Sequence, residues 1–303
     1  MKKQTRKYLV VVVVLVLLLV LSGCGRSRED MTPIQGWTGL LDILVWPMAA
    51  LMYATGKFIG FGYYGIAIII STLIVRTLAW PIYAKTNDLS LKMQLMGPEQ
   101  AKLEAKYAGK TDQESMQRKQ MEMMQLYKKH GVGFGGCLLP LVQFPIFIAF
   151  YETLQRIPLT VSEEFTFNFG EFSTRFLGID LFLGRTEAGT YQTWGVIILA
   201  AVVGITQIIS QFLMQQRQKK AKAEQQSNVP AYRQPQPTDV QKQTEMTMKF
   251  MMYGMSIMMM VFVYNSTAAL GLYWLVGNLY TTLQGYIGHK RSKSRMEKLK
   301  AKM

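Results

Sequence analysis

Residues 61–83 read FGYYGIAIIISTLIVRTLAWPIY, an apolar run of 23 residues with a single charge, Arg76, inside it. A helix needs roughly 20 such residues to cross a hydrocarbon layer about 30 Å thick. Arg76 falls about four residues past the middle of the run, so roughly 6 Å off the bilayer centre toward the C-terminal side. An arginine at that depth costs about 2.5–3.5 kcal/mol on insertion scales, and the chain must offset this with water, polar neighbours or a partner. The run therefore predicts a spanning helix and marks its own exceptional residue.

Four more runs of comparable character follow, at about 134–156, 192–213, 248–264 and 268–288. The last two are divided only by the polar turn Asn265-Ser266-Thr267. Half of the 303 residues are hydrophobic, and 34 Lys and Arg oppose 19 Asp and Glu for a formal charge of +15. The two classes are segregated into apolar blocks and basic blocks, which predicts an all-α polytopic membrane protein with five transmembrane helices. Bases lying directly beside apolar runs suit cytoplasmic retention and anionic lipid better than nucleic acid. Two cysteines give no disulfide framework.

Upstream, Lys2, Lys3, Arg6 and Lys7 precede the 13 apolar residues 9–21, a run of signal-peptide length. It ends in Leu21-Ser22-Gly23-Cys24, which has the form of a bacterial lipobox. The expectation is a leader over 1–23 that is removed and a lipidated Cys24 at the outer face. An ordinary signal peptide or an uncleaved anchor is the alternative. An outside N-terminus and five crossings place the C-terminus in the cytoplasm. Charge agrees: 22 Lys and Arg fall in the segments expected inside, against five (Arg26, Arg28, Lys57, Arg175 and Arg185) outside.

Within 24–60, the stretch from Trp37 to Met52 has apolar residues at helical spacing but contains Pro47. It reads as an amphipathic helix on the outer leaflet or as a lid on the extracellular helix ends. Residues 61–290 would hold the five-span core. Within it, 85–130 form a charged cytoplasmic helical hairpin, roughly 86–107 and 112–129. Its second helix is opened by the capping box Thr111-Asp112-Gln113-Glu114 and supported by Glu114 with Arg118. Met93, Met96, Met116, Met121, Met123 and Met124 would mostly hold the two helices together, although unbranched methionines also suit adaptable surfaces. Residues 215–246, rich in Gln, Lys and Pro, read as a flexible linker. Residues 291–303 form a basic tail.

Most sequence signals of chemistry fail on context. Gly131 to Gly136 spell G-x-G-x-x-G, but after a charged helix rather than a strand. No Walker A sequence is present, and no Cys, His or carboxylate cluster has metal-ligand spacing. No cofactor, metal or catalytic residue is expected, so the chain is not read as an enzyme. Arg76 has no obvious carboxylate partner, since the last three runs contain none and Glu152 of the second lies about 10 Å beyond the midpoint on the other side. Thr72 and Trp80 flank it at four residues on either side. Gln143, Gln207, Gln211, Asn278 and Gln284 supply amides from the other runs. A hydrated cavity lined by these groups would solvate the guanidinium, and so would snorkelling to the inner headgroups.

At these residues the chain resembles the YidC/Oxa-type membrane protein insertases, in the five-span lipoprotein form found in Gram-positive bacteria. The resemblance covers roughly 34–290. It is carried by Ile74-Val75-Arg76 with Trp80-Pro81, by Leu126 to Gly131, by Gly136-Cys137-Leu138-Leu139-Pro140-Leu141-Val142-Gln143-Phe144-Pro145, and by Ala268 to Trp274 with Asn278. It implies a positively charged groove that captures the hydrophilic segment of a passenger protein while its apolar segment enters lipid. Arg76 would supply the charge, and Gln143, Gln211 and Trp274 would line the groove, with Gln207 one turn from Gln211. Nascent membrane proteins, the ribosome and the Sec translocon are the implied partners. Outside the resemblance, a transporter or channel for an anionic solute would also use an intramembrane arginine.

Overall fold

The computed structural model describes residues 33–34, 41–81, 96–97, 99–100, 102–107, 109–110, 112–131, 135–160, 167–184, 189–226 and 239–300. The leader, Cys24, Trp37, Met93, Thr111 and 227–238 lie outside them. The elements are α1 (Asp42–Phe58), α2 (Tyr64–Leu78), α3 (Gln113–Lys129) and α4 (Gly135–Thr160). A 3-10 turn (Phe169–Glu171), β1 (Arg175–Phe176) and β2 (Ile179–Asp180) precede α5 (Thr190–Gln226), α6 (Asp239–Tyr264) and α7 (Ala268–Lys300). Each of the five expected runs contains a helix, α2, α4, α5, α6 and α7 in turn, but only α5, over Thr190–Arg217, is both long and apolar enough by itself to cross a membrane among the described residues. The chain divides into two compact units, 1–78 with 138–204 and 259–278, and 79–137 with 205–258 and 279–303.

The first unit has a continuous apolar core. Val45, Met48, Ala49 and Met52 of α1, Tyr64 and Ile68 of α2, Phe150, Leu154 and Ile157 of α4, and Ala268 to Leu270 with Tyr273 of α7 are all buried in it. α1 is the helix expected over Trp37–Met52, with different bounds. It starts five residues after Trp37 and continues to Phe58, straight through Pro47. Pro47 lies on the exposed side in the second turn. The buried stripe packs against its neighbours in this unit, with Thr55 Oγ1 bonded to Ser71 Oγ of α2 at 2.8 Å. At its start, Asp42 pairs with Arg156 of α4 at 2.6 Å, and Arg156 also donates to the Pro33 carbonyl. Both side chains are buried, so Arg76 is not the only buried arginine of this unit.

Two left-handed turns close the same unit, and no apolar periodicity foretold them. β1 and β2 pair antiparallel as Arg175–Asp180 and Phe176–Ile179, joined by Leu177-Gly178. Ser173 donates to the Gly62 carbonyl at 2.7 Å and accepts from Tyr64 at 3.0 Å, tying this ribbon to the start of α2. Beyond it, Leu183 and Leu181 accept from the backbone amides of Ala268 and Ala269, satisfying two of the orphan donors that open α7.

In the second unit, Asp112 rather than Thr111 caps α3. Its backbone is extended and its carboxylate accepts from the Ser115 amide at 2.8 Å; the Ser115 side chain first, and then its amide, hold the carboxyl below its usual value. Glu114 and Arg118 pair at 2.7 Å. Glu122 binds Lys106 at 2.7 Å and accepts from the Tyr107 hydroxyl at 2.9 Å, while Glu99 binds Lys129 at 2.8 Å and His130 at 3.1 Å. These polar clamps replace the expected methionine packing. Met96 is buried and Met123 half-buried, but Met116, Met121 and Met124 are exposed, and no residue of α3 is fully buried. The segment read as a linker is helical at both ends, through Gln226 and from Asp239. Lys, Gln and Ala are good helix formers, and only the proline-bearing stretch falls between the two helices.

Candidate functional site

The extent of α2 explains where Arg76 ends up. The continuous helix stops at Leu78 with a turn at Ala79, after which Trp80 and Pro81 are again helical, as a proline without an amide hydrogen is tolerated in the first turn of a helix. α2 is therefore 15 residues long rather than the expected 23, about 22 Å at 1.5 Å per residue. Arg76 sits in its last turn instead of near the centre of a full-length span. There the cation lies at the negative end of the helix dipole, which contributes typically 0.3–1 kcal/mol toward its burial.

The guanidinium is buried and rests on the backbone of α7. A Cβ placed on Gly277 would fall 2.7 Å from Arg76 Nη2, where ordinary contact begins near 3.4 Å. Gly277 is thus a seat that only a glycine provides without displacing the side chain. Thr72, one turn before Arg76, is fully buried and donates to the Ile68 carbonyl at 2.6 Å. Asn278, the neighbour of the seat, is buried and donates to the Val203 carbonyl of α5 at 3.4 Å. Trp274, three residues earlier, stands against Phe147 of α4 with ring centroids 5.6 Å apart. Its indole Nε1 is buried without a hydrogen-bond partner among the described residues.

So the structure brings Arg76 to the 274–278 stretch of α7. Gln143 lies one turn ahead of Phe147 on α4, and its side chain is outside the described set. Trp80, Gln207 and Gln211 belong to the second unit. Trp80 meets Tyr280 edge-on at 5.9 Å. Gln207 is half-buried, and Gln211 is buried with Oε1 unbonded among the described residues. Glu152 is fully buried in α4. No group of three or more His, Cys, Asp or Glu capable of holding a metal occurs among the described residues.

Sequence reasoning missed Gly277 and Arg156. A glycine inside an apolar helical run costs about 1 kcal/mol relative to alanine and signals close approach, which was the available clue for Gly277. For Arg156 the clue was Asp42, a carboxylate in register with the buried stripe Val45, Ala49 and Met52.

A family model described as 60Kd inner membrane protein matches residues 55–296. The chain belongs to that family. This member of the 60Kd inner membrane protein family is 34% identical over 271 residues to membrane protein insertase YidC 2 of Bacillus anthracis, covering 88% of each chain. It is 32% identical over 271 residues to membrane protein insertase MisCA of Bacillus subtilis (strain 168), covering 88% of this chain and 85% of that one. Membrane protein insertase YidC of Oceanobacillus iheyensis is 31% identical over 289 residues, covering 94% of this chain and 97% of that one. These relatives agree with the YidC/Oxa-type resemblance carried by the blocks within 34–290.

Proposed function

We propose that this chain is a bacterial membrane protein insertase in which Arg76 receives the acidic or polar segment of an incoming passenger. The relatives named above are insertases, and none supports an anion transporter. The observation that carries the role of Arg76 is its position: a buried cation in the last turn of a short apolar helix, seated on Gly277 of α7. In a medium of reduced dielectric, opposite charges at about 4 Å attract by roughly 4 kcal/mol at an effective dielectric of ~20. That favours partial burial of a carboxylate which lipid alone would reject. The apolar segment of the passenger supplies most of the driving force. Leu, Ile, Phe and Val contribute roughly −0.3 to −0.6 kcal/mol each on insertion scales, so about 20 of them drive transfer without nucleotide.

Thr72, Trp274 and Asn278 are assigned to the face that carries Arg76. Gln143 is assigned from its place on α4. Trp80, Gln207 and Gln211 are proposed as passenger contacts each in its own right. The remaining assignments rest on sequence: five crossings with the C-terminus inside, diacylglyceryl attachment at Cys24, and contact of the basic 85–130 segment and tail with the ribosome, whose RNA is acidic. Cooperation with a Sec translocon rests on the family resemblance alone.

The test is insertion of a single-span passenger with an acidic translocated segment into liposomes holding only this protein and no nucleotide. Arg76→Lys should keep more activity than Arg76→Ala, and Arg76→Glu should keep least. Full activity of Arg76→Glu on every passenger would refute charge capture. Absence of insertion by the unaltered protein would refute the function.

A further inference from the structure

Two turns in the first unit hold bulky apolar residues where the backbone favours small polar ones. Gly60 to Tyr63 is closed by the Tyr63 amide on the Gly60 carbonyl at 2.8 Å, with φ of 50° at Phe61 and 80° at Gly62. The β1–β2 hairpin turns through Leu177 and Gly178 at 51° and 82°. Both have the two positive φ values of a type I′ turn, whose first central position is normally Asn, Asp or Gly. Leucine and phenylalanine are strained in this region. They are also almost wholly exposed, Phe61 at 86% and Leu177 at 84%. The fold thus accepts backbone strain twice to present an apolar tip, an arrangement that gains nothing in water.

Their surroundings indicate what they meet. Ser173 bridges the two turns through the Gly62 carbonyl and the Tyr64 amide. The hairpin is clamped to the first turns of α5: Gln192 accepts from the Asp180 amide at 2.9 Å and donates to its carbonyl at 2.8 Å. A Cβ on Gly178 would fall 2.7 Å from the Tyr191 hydroxyl, and one on Gly195 2.7 Å from Ile179. Leu177 therefore lies level with the first residues of the one described helix that is long and apolar enough to cross a membrane by itself. Tyr191 and Trp194, in those same turns, are exposed, as are Phe58, Ile59 and Tyr63 beside the other tip. Aromatic residues at the first turn of a span mark the headgroup level, and the exposed apolar face of α5 continues from there through Ile198, Val202 and Ile205.

We propose that Phe61 and Leu177 form a double apolar wedge seated in the headgroup–acyl boundary of the leaflet in which α5 begins. The lipid interface is the one surface that takes apolar tips and leaves the flanking Lys57 and Arg175, both exposed, in reach of phosphates. The inference rests on α5 crossing the bilayer and does not depend on which passenger is handled or which side the N-terminus faces.

The test is an environment-sensitive NBD probe on single cysteines at positions 61, 177, 171 and 205 of the full-length protein in phospholipid vesicles, with Cys137→Ala throughout. Glu171 is exposed in the loop that precedes the hairpin, and Ile205 lies midway along α5. Probes at 61 and 177 should emit blue-shifted light and be quenched by shallow doxyl lipids. Aqueous iodide should quench them roughly fivefold less than the probe at 171, as expected for side chains about 5–10 Å into the interface. The probe at 205 should respond only to deep doxyl lipids. Iodide quenching at 61 and 177 equal to that at 171 would overturn the wedge. Protection from both quenchers would overturn it too, in favour of a covering protein surface. If 205 itself is open to iodide, α5 does not span, and the reading fails at its premise rather than at the tips.

Discussion

Replacing Gly277 with alanine should separate stability from function. The new Cβ would lie 2.7 Å from Arg76 Nη2, inside the range where something must shift. The atom it meets is the far end of a long flexible side chain, so the backbone can stay where it is. Alanine is also favoured over glycine in a helix interior by about 1 kcal/mol, so the variant should unfold no more easily than the parent and up to about 1 kcal/mol less easily. The guanidinium, however, must retreat by roughly 1 Å. At an effective dielectric of ~20, moving a carboxylate contact from about 4 to 5 Å removes ~0.8 kcal/mol of attraction, or about fourfold in capture of an acidic segment. The assay pairs thermal unfolding in nanodiscs with insertion in vesicles, for Gly277→Ala in both the parent and the Arg76→Lys background. Lysine has no forked head to collide with the methyl group, so the second substitution should be nearly silent there. An equal loss of insertion in both backgrounds, or no loss in either, would refute the seat.

Asp42→Ala should remove the carboxylate from a buried pair and lower stability by about 3–5 kcal/mol, whereas Asp42→Leu with Arg156→Leu should recover most of it; thermal denaturation of the singles and the double decides. Asp112→Ala should cost about 1 kcal/mol by uncapping α3, seen as faster amide exchange over 113–117 with insertion spans unaffected. Glu99 is held below its ordinary value first by Lys129, and Glu122 by Lys106 and then Tyr107. A carboxyl lowered in the folded state stabilises fully above the ordinary value of 4.5 and loses that stabilisation as pH falls through the folded value. Lys106 is raised by Glu122 and keeps its contribution until pH climbs through the folded value, above 10.5. Amide exchange over α3 should therefore accelerate on acidification below about 4.5 and change little between neutrality and pH 10.

Apolar run length and breaker residues made most helices legible. The 265–267 turn, the α3 start within one residue and the Glu114–Arg118 pair all follow from local rules, because capping and i, i+4 geometry involve only near neighbours. What stayed hidden depends on tertiary context. Pro47 fits inside α1 because its ring faces outward. The Asp42–Arg156 pair joins residues 114 apart in sequence, and the Leu177 turn contradicts the residue preferences from which a turn is inferred. Arg76 was visible as a charge in a hydrophobic run. Its seat was not, since nothing local to Gly277 says which side chain needs the space.

The bonds from Ala268 and Ala269 to Leu183 and Leu181 act as a register stop for the last helix. Successive residues of a helix are about 100° apart around its axis. A slip of one residue at that stop would turn Gly277 away and bring the side chain of Val276 or Asn278 under the guanidinium. A loop made some ninety residues before Ala268 therefore sets the rotational phase of α7 and, through it, whether Arg76 has anywhere to rest.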